Sequence, residues 1–146
     1  GRNEIVPPAV AVVDEILKSV DFKLNDKKVA VVGLGKLVGK PLSVWLTGKC
    51  AELFLLDSKS DLKIVREADL IITGVGRAGL INADIIKDGV AVIDFGYYYF
   101  EDGRLSGDFE ASEEALKKTA FYTPTPGGTG PILVAKLFEN FFTLNK

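Results

Sequence analysis

The chain has 146 residues, 47% of them hydrophobic and 26% charged, with a formal net charge of −2: enough apolar material for one domain core, and no electrostatic footprint for nucleic acid. A single cysteine, Cys50, and the absence of histidine exclude disulfide frameworks, Cys/His zinc centres and histidine-based acid/base chemistry within this sequence. No apolar run approaches the roughly 18 residues of a membrane-spanning helix, and no signal-peptide pattern opens the chain, so a cytoplasmic protein without membrane contact is expected. The start at Gly1, Arg2 and Asn3, with no methionine anywhere, suggests a piece of a longer polypeptide.

Pro7 and Pro8 precede Ala9, Val10, Val12, Val13, Ile16 and Leu17, spaced for one face of a helix with proline in its first turn. Residues 28–33 form a short, β-branched apolar run closed by Gly33, as a buried parallel strand is. A helix is predicted over 39–47 with Trp45 and Leu46 inward, then strands at 51–56, 70–75 and 90–95, separated by segments of helical spacing at 62–67 and 83–86. This alternation predicts an α/β, Rossmann-like doubly wound parallel sheet with helices on both faces, one domain over 1–146. Residues 97–109 hold turn formers and read as a hairpin excursion; 111–118 is a polar helix, after which Phe121 and Tyr122 enter a Pro/Gly loop at 123–131. In the last predicted helix, about 132–142, Phe138, Phe141 and Phe142 share one face. They are expected to close the core, with packing on another domain or subunit as the alternative.

Gly33, Leu34, Gly35, Lys36, Leu37, Val38 and Gly39 make a strand-to-helix turn of the form G-x-G-x-x-x-G, one residue longer than the usual dinucleotide fingerprint. Free N–H groups and the positive end of the following helix suit such a turn to a pyrophosphate. Asp57 ends the second strand at about the 20-residue offset of a carboxylate that binds adenosine ribose hydroxyls. Its charge would repel a 2′-phosphate, and Leu34 offers no guanidinium to hold one, which favours NAD; Lys59 leaves NADP within reach. The bland alternative is that Asp57 caps the next turn with Ser58. Gly74, Val75 and Gly76 end the third strand and Asp94, Phe95 and Gly96 the fourth, so both turns line the crevice at the carboxyl ends of the strands. Tyr97, first of three consecutive tyrosines, is a candidate to flank the nicotinamide. With three prolines and three glycines in nine residues, the 123–131 loop is a stiff candidate for facing a ligand.

These residues resemble the cofactor-binding domain of the bifunctional methylenetetrahydrofolate dehydrogenase/methenyltetrahydrofolate cyclohydrolase family along nearly the whole chain. The family's Ile-Val-Gly-x-Pro resembles Leu37, Val38, Gly39, Lys40 and Pro41; its Ala-Asp-Ile resembles Ala68, Asp69 and Leu70; its Ile-Asp-Val-Gly resembles Ile93, Asp94, Phe95 and Gly96; its Gly-Asp-Val resembles Gly107, Asp108 and Phe109. Most specific is Thr-Pro-Val-Pro-Gly-Gly-Val-Gly-Pro, matched from Thr123 to Pro131 except that Thr125 and Thr129 replace the two valines.

The resemblance implies an NAD(P)-binding domain in which Gly33, Leu34 and Gly35 hold the cofactor phosphates and Tyr97 lines the nicotinamide side; with the residues placed beside them by the strand-end turns, Val38, Gly39, Asp57, Ser58, Val75 and Gly76, they make up the expected cofactor set. It implies that Pro126, Gly127, Gly128, Thr129 and Gly130 face a folate substrate shared with an N-terminal domain carrying the catalytic lysine, and that the intact enzyme is a homodimer. The family's Arg-Ser in the phosphate turn is Leu34 and Gly35 here, and its Gly-Ile-Asn is Gly96, Tyr97 and Tyr98. Those departures leave a second expectation open, a nucleotide-binding or assembly module that has lost the reaction.

Overall fold

The computed structural model describes residues 5–145; the extreme ends of the expected domain, with Gly1, Arg2 and Asn3, lie outside the described residues. The first helix, α1, runs Pro8–Ser19 with Pro7 as its N-cap and buries Ala9, Val10, Val12, Val13, Ile16 and Leu17. The first strand, β1 (Lys28–Val32), leads through the glycine turn into α2 (Gly39–Leu46) and on to β2 (Glu52–Leu56). Then come β3 (Leu70–Thr73), β4 (Val90–Asp94), a two-stranded antiparallel ribbon of β5 (Tyr98–Tyr99) and β6 (Leu105–Ser106), α3 (Glu113–Lys118), β7 (Thr119–Tyr122) and α4 (Thr129–Leu144).

Five strands pair in parallel in the order β2-β1-β3-β4-β7. From β1 the chain steps outward to β2, then returns to β3 and builds the other way, so the strand order reverses between β1 and β3. Alternating side chains of the central strands feed two cores. Val29, Val31, Leu70, Ile72, Ala91 and Ile93 pack under α1, α2 and the start of α4, whose Ile132 and Leu133 lean on the same cluster. On the opposite face, Ala30, Val32, Ile71, Val90 and Val92 pack against Val65, Ala68, Ile81, Ala83, Ile86, Phe109 and Ala115.

Layers cover both faces as the sequence predicts, but unequally. The segments at Leu62–Glu67 and Ala83–Ile85 are 3-10 helices of six and three residues, each started by a side chain, Asp61 or Asn82, that accepts a backbone N–H two residues on. Strand β7 was not expected: its four residues sit between a polar helix and a proline loop, and four residues carry no readable period. Trp45 is half-buried against the core while Leu46 is fully buried. Among the described residues no helix is long and apolar enough to cross a membrane.

Helix α4 begins three residues before its predicted start and overturns the expectation that its phenylalanines close the core. Phe138, Phe141 and Phe142 are 60%, 58% and 62% exposed, with Val134 and Leu137 beside them. The helix is held instead by Ile132 and Leu133, by the Lys136–Glu15 ion pair at 3.2 Å, and by Asn140, which donates to the Val6 carbonyl at 3.1 Å. Leu42→Ala, at a fully buried position, is expected to lower unfolding free energy by about 2–5 kcal/mol. Phe141→Ala in the isolated chain should stay within about 0.5 kcal/mol of the parent, as surface changes do. Urea denaturation followed by circular dichroism checks both values.

Candidate functional site

The strand order reverses beside β1, and the turn that follows this strand is shaped by close packing. Gly33 has φ +90° and donates its N–H to the Leu56 carbonyl at 2.8 Å. Gly39, the first residue of α2, packs so tightly on the Gly33 carbonyl and Leu34 that no Cβ fits there. The helix N-terminus is thereby drawn up against the end of β1. The N–H groups of Leu34, Gly35 and Lys36 have no acceptor among the described residues. This turn forms one wall of a cleft of ≈ 690 Å³ lined by Val32, Gly33, Leu34, Gly35, Asp57, Ser58, Ser60, Leu62, Gly74, Val75, Arg77 and Leu80.

Asp57 is exposed at the end of β2 and lines that cleft. Its Oδ1 accepts the Lys59 N–H at 2.9 Å and the Ser60 hydroxyl at 3.0 Å, and these bonds hold its carboxyl below the usual carboxylate range. The turn-capping alternative for Asp57 is therefore the one its hydrogen bonds bear out. Asp57 caps the turn through Ser60 rather than Ser58, and its ionised carboxylate still borders the cleft.

On the third and fourth strands, two buried aspartates organise the turns. The Asp108 carboxylate is fully buried and accepts four bonds: from the Thr73 hydroxyl (2.7 Å), Val75 N–H (2.7 Å), Gly76 N–H (2.8 Å) and Arg77 N–H (2.7 Å). Asp94, 1% exposed, accepts the Gly96 N–H at 2.7 Å and the Phe109 N–H at 2.9 Å. Burial pushes its carboxyl up to about 6, and the neighbouring Asp108 charge adds to the effect against the backbone bonds. The 123–131 loop is strapped to the same strand end. Thr123 accepts the Asp94 N–H at 2.8 Å, and Thr129 donates its hydroxyl to the Asp94 carbonyl at 2.9 Å.

Of the expected cofactor residues, the structure gathers Gly33, Leu34, Gly35, Asp57, Ser58 and Val75 around one cleft. Val38 and Gly39 lie behind it: Val38 packs on the core beside Gly74, and Gly39 is buried. Gly76 is bound to Asp108. Tyr97 stands apart from the cleft lining, with its hydroxyl against Gly130 at the start of α4. Of the expected substrate residues, Pro126 and Gly127 are exposed, Gly128 and Gly130 are half-buried, and Thr129 is buried with its hydroxyl spent on Asp94.

A family model for the tetrahydrofolate dehydrogenase/cyclohydrolase NAD(P)-binding domain matches residues 7–146. The chain belongs to this family. The bifunctional protein FolD of Nautilia profundicola is 39% identical over 142 residues, 96% of this chain and 50% of its own length; that of Bacillus subtilis is 37% identical over the same extent. The crystal structure of the Campylobacter jejuni FolD enzyme superposes with a TM-score of 0.90 at 34% identity, covering 99% of this chain and 51% of that one. A Trypanosoma brucei FolD, solved with NADP and an inhibitor, gives 0.87 at 34%, covering 98% and 52%. The chain thus spans about half the length of the relatives it matches.

For a domain of this family, sequence reasoning missed Ser60, Leu62, Arg77 and Leu80 in the cleft, along with the bonding role of Asp108. A charged residue directly after the Gly74–Gly76 turn was the available signal for Arg77. The raised Asp94 carboxyl fixes the sign of one pH dependence. The native state holds this proton more tightly than the unfolded chain, so its stabilising contribution is full below the unfolded value near 3.9 and is lost as pH rises through about 6. Relative to Asp94→Asn, the parent should lose on the order of 2–3 kcal/mol of stability between about pH 4 and 7. Urea titrations of both proteins across that range measure the difference.

Proposed function

We propose that this chain is the nicotinamide-dinucleotide half of a bifunctional methylenetetrahydrofolate dehydrogenase/methenyltetrahydrofolate cyclohydrolase, with NAD favoured over NADP. The observation that carries the reading is the cleft at the strand-order reversal, which a glycine turn with unspent N–H groups and the Asp57 carboxylate line together in a chain of this family. Gly33, Leu34 and Gly35 cradle the pyrophosphate, with Val38 and Gly39 holding the turn in shape. Asp57 and Ser58 take the adenosine ribose, while Val75, Gly76 and Tyr97 border the nicotinamide end. When bound, the nicotinamide takes up the hydride released as 5,10-methylenetetrahydrofolate becomes 5,10-methenyltetrahydrofolate; hydrolysis of the latter is the cyclohydrolase reaction.

The loop residues Pro126, Gly127, Gly128, Thr129 and Gly130 border the folate. Groups that move protons come from a second domain, in keeping with relatives twice this length. The isolated domain therefore binds cofactor without turnover. The exposed aromatic face of α4 suits a contact with that domain or with a second subunit of a cytoplasmic homodimer. A second reading, a nucleotide-binding module without the reaction, draws on Tyr97, whose bulk stands where the family has a smaller residue and reaches Gly130. Full-length protein carrying Tyr-x-x-x-Lys in its preceding segment and turning over methylenetetrahydrofolate would rule it out.

Calorimetric titration of the chain with both dinucleotides tests the cofactor half. NAD is expected to bind more tightly than NADP, and no heat from either at millimolar concentration would remove the claim. Replacing Asp57 by Ser and Leu34 by Arg together removes the repelling carboxylate and adds a phosphate fork, and should shift the preference toward NADP by roughly tenfold or more.

A further inference from the structure

We infer that Asp108 is the positioning residue of the cofactor cleft, and that Arg77, whose backbone it holds, supplies the cation that meets the dinucleotide diphosphate. The inference rests on the reading that this cleft takes a nicotinamide dinucleotide. It begins from a buried charge that no step above uses. Three consecutive N–H groups, those of Val75, Gly76 and Arg77, point at one carboxylate, which also accepts the Thr73 hydroxyl. Such a concavity of backbone donors is an anion site, and here the protein's own aspartate fills it.

Asp108 lies more than thirty residues along the chain from each of its donors, so the turn after β3 takes its shape from a distant segment. That segment is itself pinned. Asp94 accepts the N–H of Phe109, Gly107 packs against the Asp94 carboxylate, and Gly96 packs against the Asp108 carboxylate so closely that neither glycine has room for a side chain. Moving the turn would strand a buried carboxylate, which costs far more than rearranging an exposed loop.

The fixed turn places Val75 and Arg77 on the cleft wall. Arg77 is exposed, is the single cation among the residues lining the cleft, and has no ion-pair partner among the described residues. The other charge on the lining is the carboxylate of Asp57. An anionic diphosphate entering this cleft meets neutral N–H dipoles on the β1 side, and Arg77 is the one full positive charge among the residues lining it. Arginine suits the task because its planar fork matches phosphate oxygens.

The test uses the chain as it stands, titrated with NAD and NADP by calorimetry at several salt concentrations, with near-ultraviolet circular dichroism confirming that each variant is folded. Arg77→Gln is expected to weaken both dinucleotides about tenfold and to flatten the salt dependence, since a charge contact to phosphate is lost. Asp108→Asn, which keeps the size but turns a donor toward three N–H groups, should weaken binding at least as much and flatten the salt dependence equally. The double variant should lose no more than Asp108→Asn alone, because Arg77 acts only when Asp108 holds it.

Thr73→Val removes one of the four donors, keeps the carboxylate, and should weaken binding a few-fold while retaining the salt dependence. A folded Asp108→Asn with parent affinity and parent salt slope, or losses that simply add in the double variant, would overturn the inference. If Asp108→Asn does not fold, parent-like binding by both Thr73→Val and Arg77→Gln overturns it instead. A parent chain that binds neither dinucleotide overturns the cofactor reading and this inference with it; where the parent binds, any failure falls on the roles of Asp108 and Arg77 alone.

Discussion

Two aspartates buried at the carboxyl ends of neighbouring strands hold the crevice together. Asp108 ties the end of β3 to the segment after β6, and Asp94 ties that segment back to the end of β4. The backbone of Asp94 then holds the proline loop, through Thr123 on its N–H and Thr129 on its carbonyl. Four separate chain segments are thus fastened at one point, where ionised groups without partners would be prohibitively unfavourable. The apolar sheet could tolerate many sequences of similar volume; this polar node cannot, because each donor is matched to a particular oxygen.

The node also decides where an anion can bind. Two turns at this end of the sheet present clusters of backbone N–H groups, one after β1 and one after β3. Those after β3 are consumed by Asp108, while those of Leu34, Gly35 and Lys36 after β1 are left without acceptors among the described residues. The tight fit of Gly39 on Gly33 adds the positive end of α2 to the open turn. The open backbone donors of this end of the sheet therefore lie on the β1 side, while an internal anion occupies the corresponding position after β3.

What was legible in the sequence follows from range. The strands at β1, β3 and β4 are runs of buried β-branched residues and show plainly, as does the glycine turn, since each is a local pattern of strong contrast. The phenylalanines of α4 show a clear helical stripe, yet nothing local says what covers such a stripe, and within this chain it stays open. Strand β7 exists only because β4 offers an edge for Thr119, Phe121 and Tyr122 to pair with. Arg77 and the bonds of Asp108 depend on residues about thirty positions apart meeting in space. Resemblance to a family marked Gly107, Asp108 and Phe109 as a shared string; only the fold explains why an acid belongs there.

Tyr97 joins the two halves of the candidate site. A side chain at Gly76 would meet the Tyr97 carbonyl oxygen at 3.3 Å, so the backbone of Tyr97 rests on the turn that Asp108 fixes. Its ring reaches to the start of α4, where its hydroxyl lies against Gly130 in the proline loop. Residues read from the sequence as belonging to separate cofactor and substrate sides are therefore in contact through one side chain. Because Gly96, the residue before it, is bonded to Asp94, the tyrosine leaves from a fixed point. Displacing the proline loop must then either rotate the Tyr97 ring or break the Thr129 bond to Asp94.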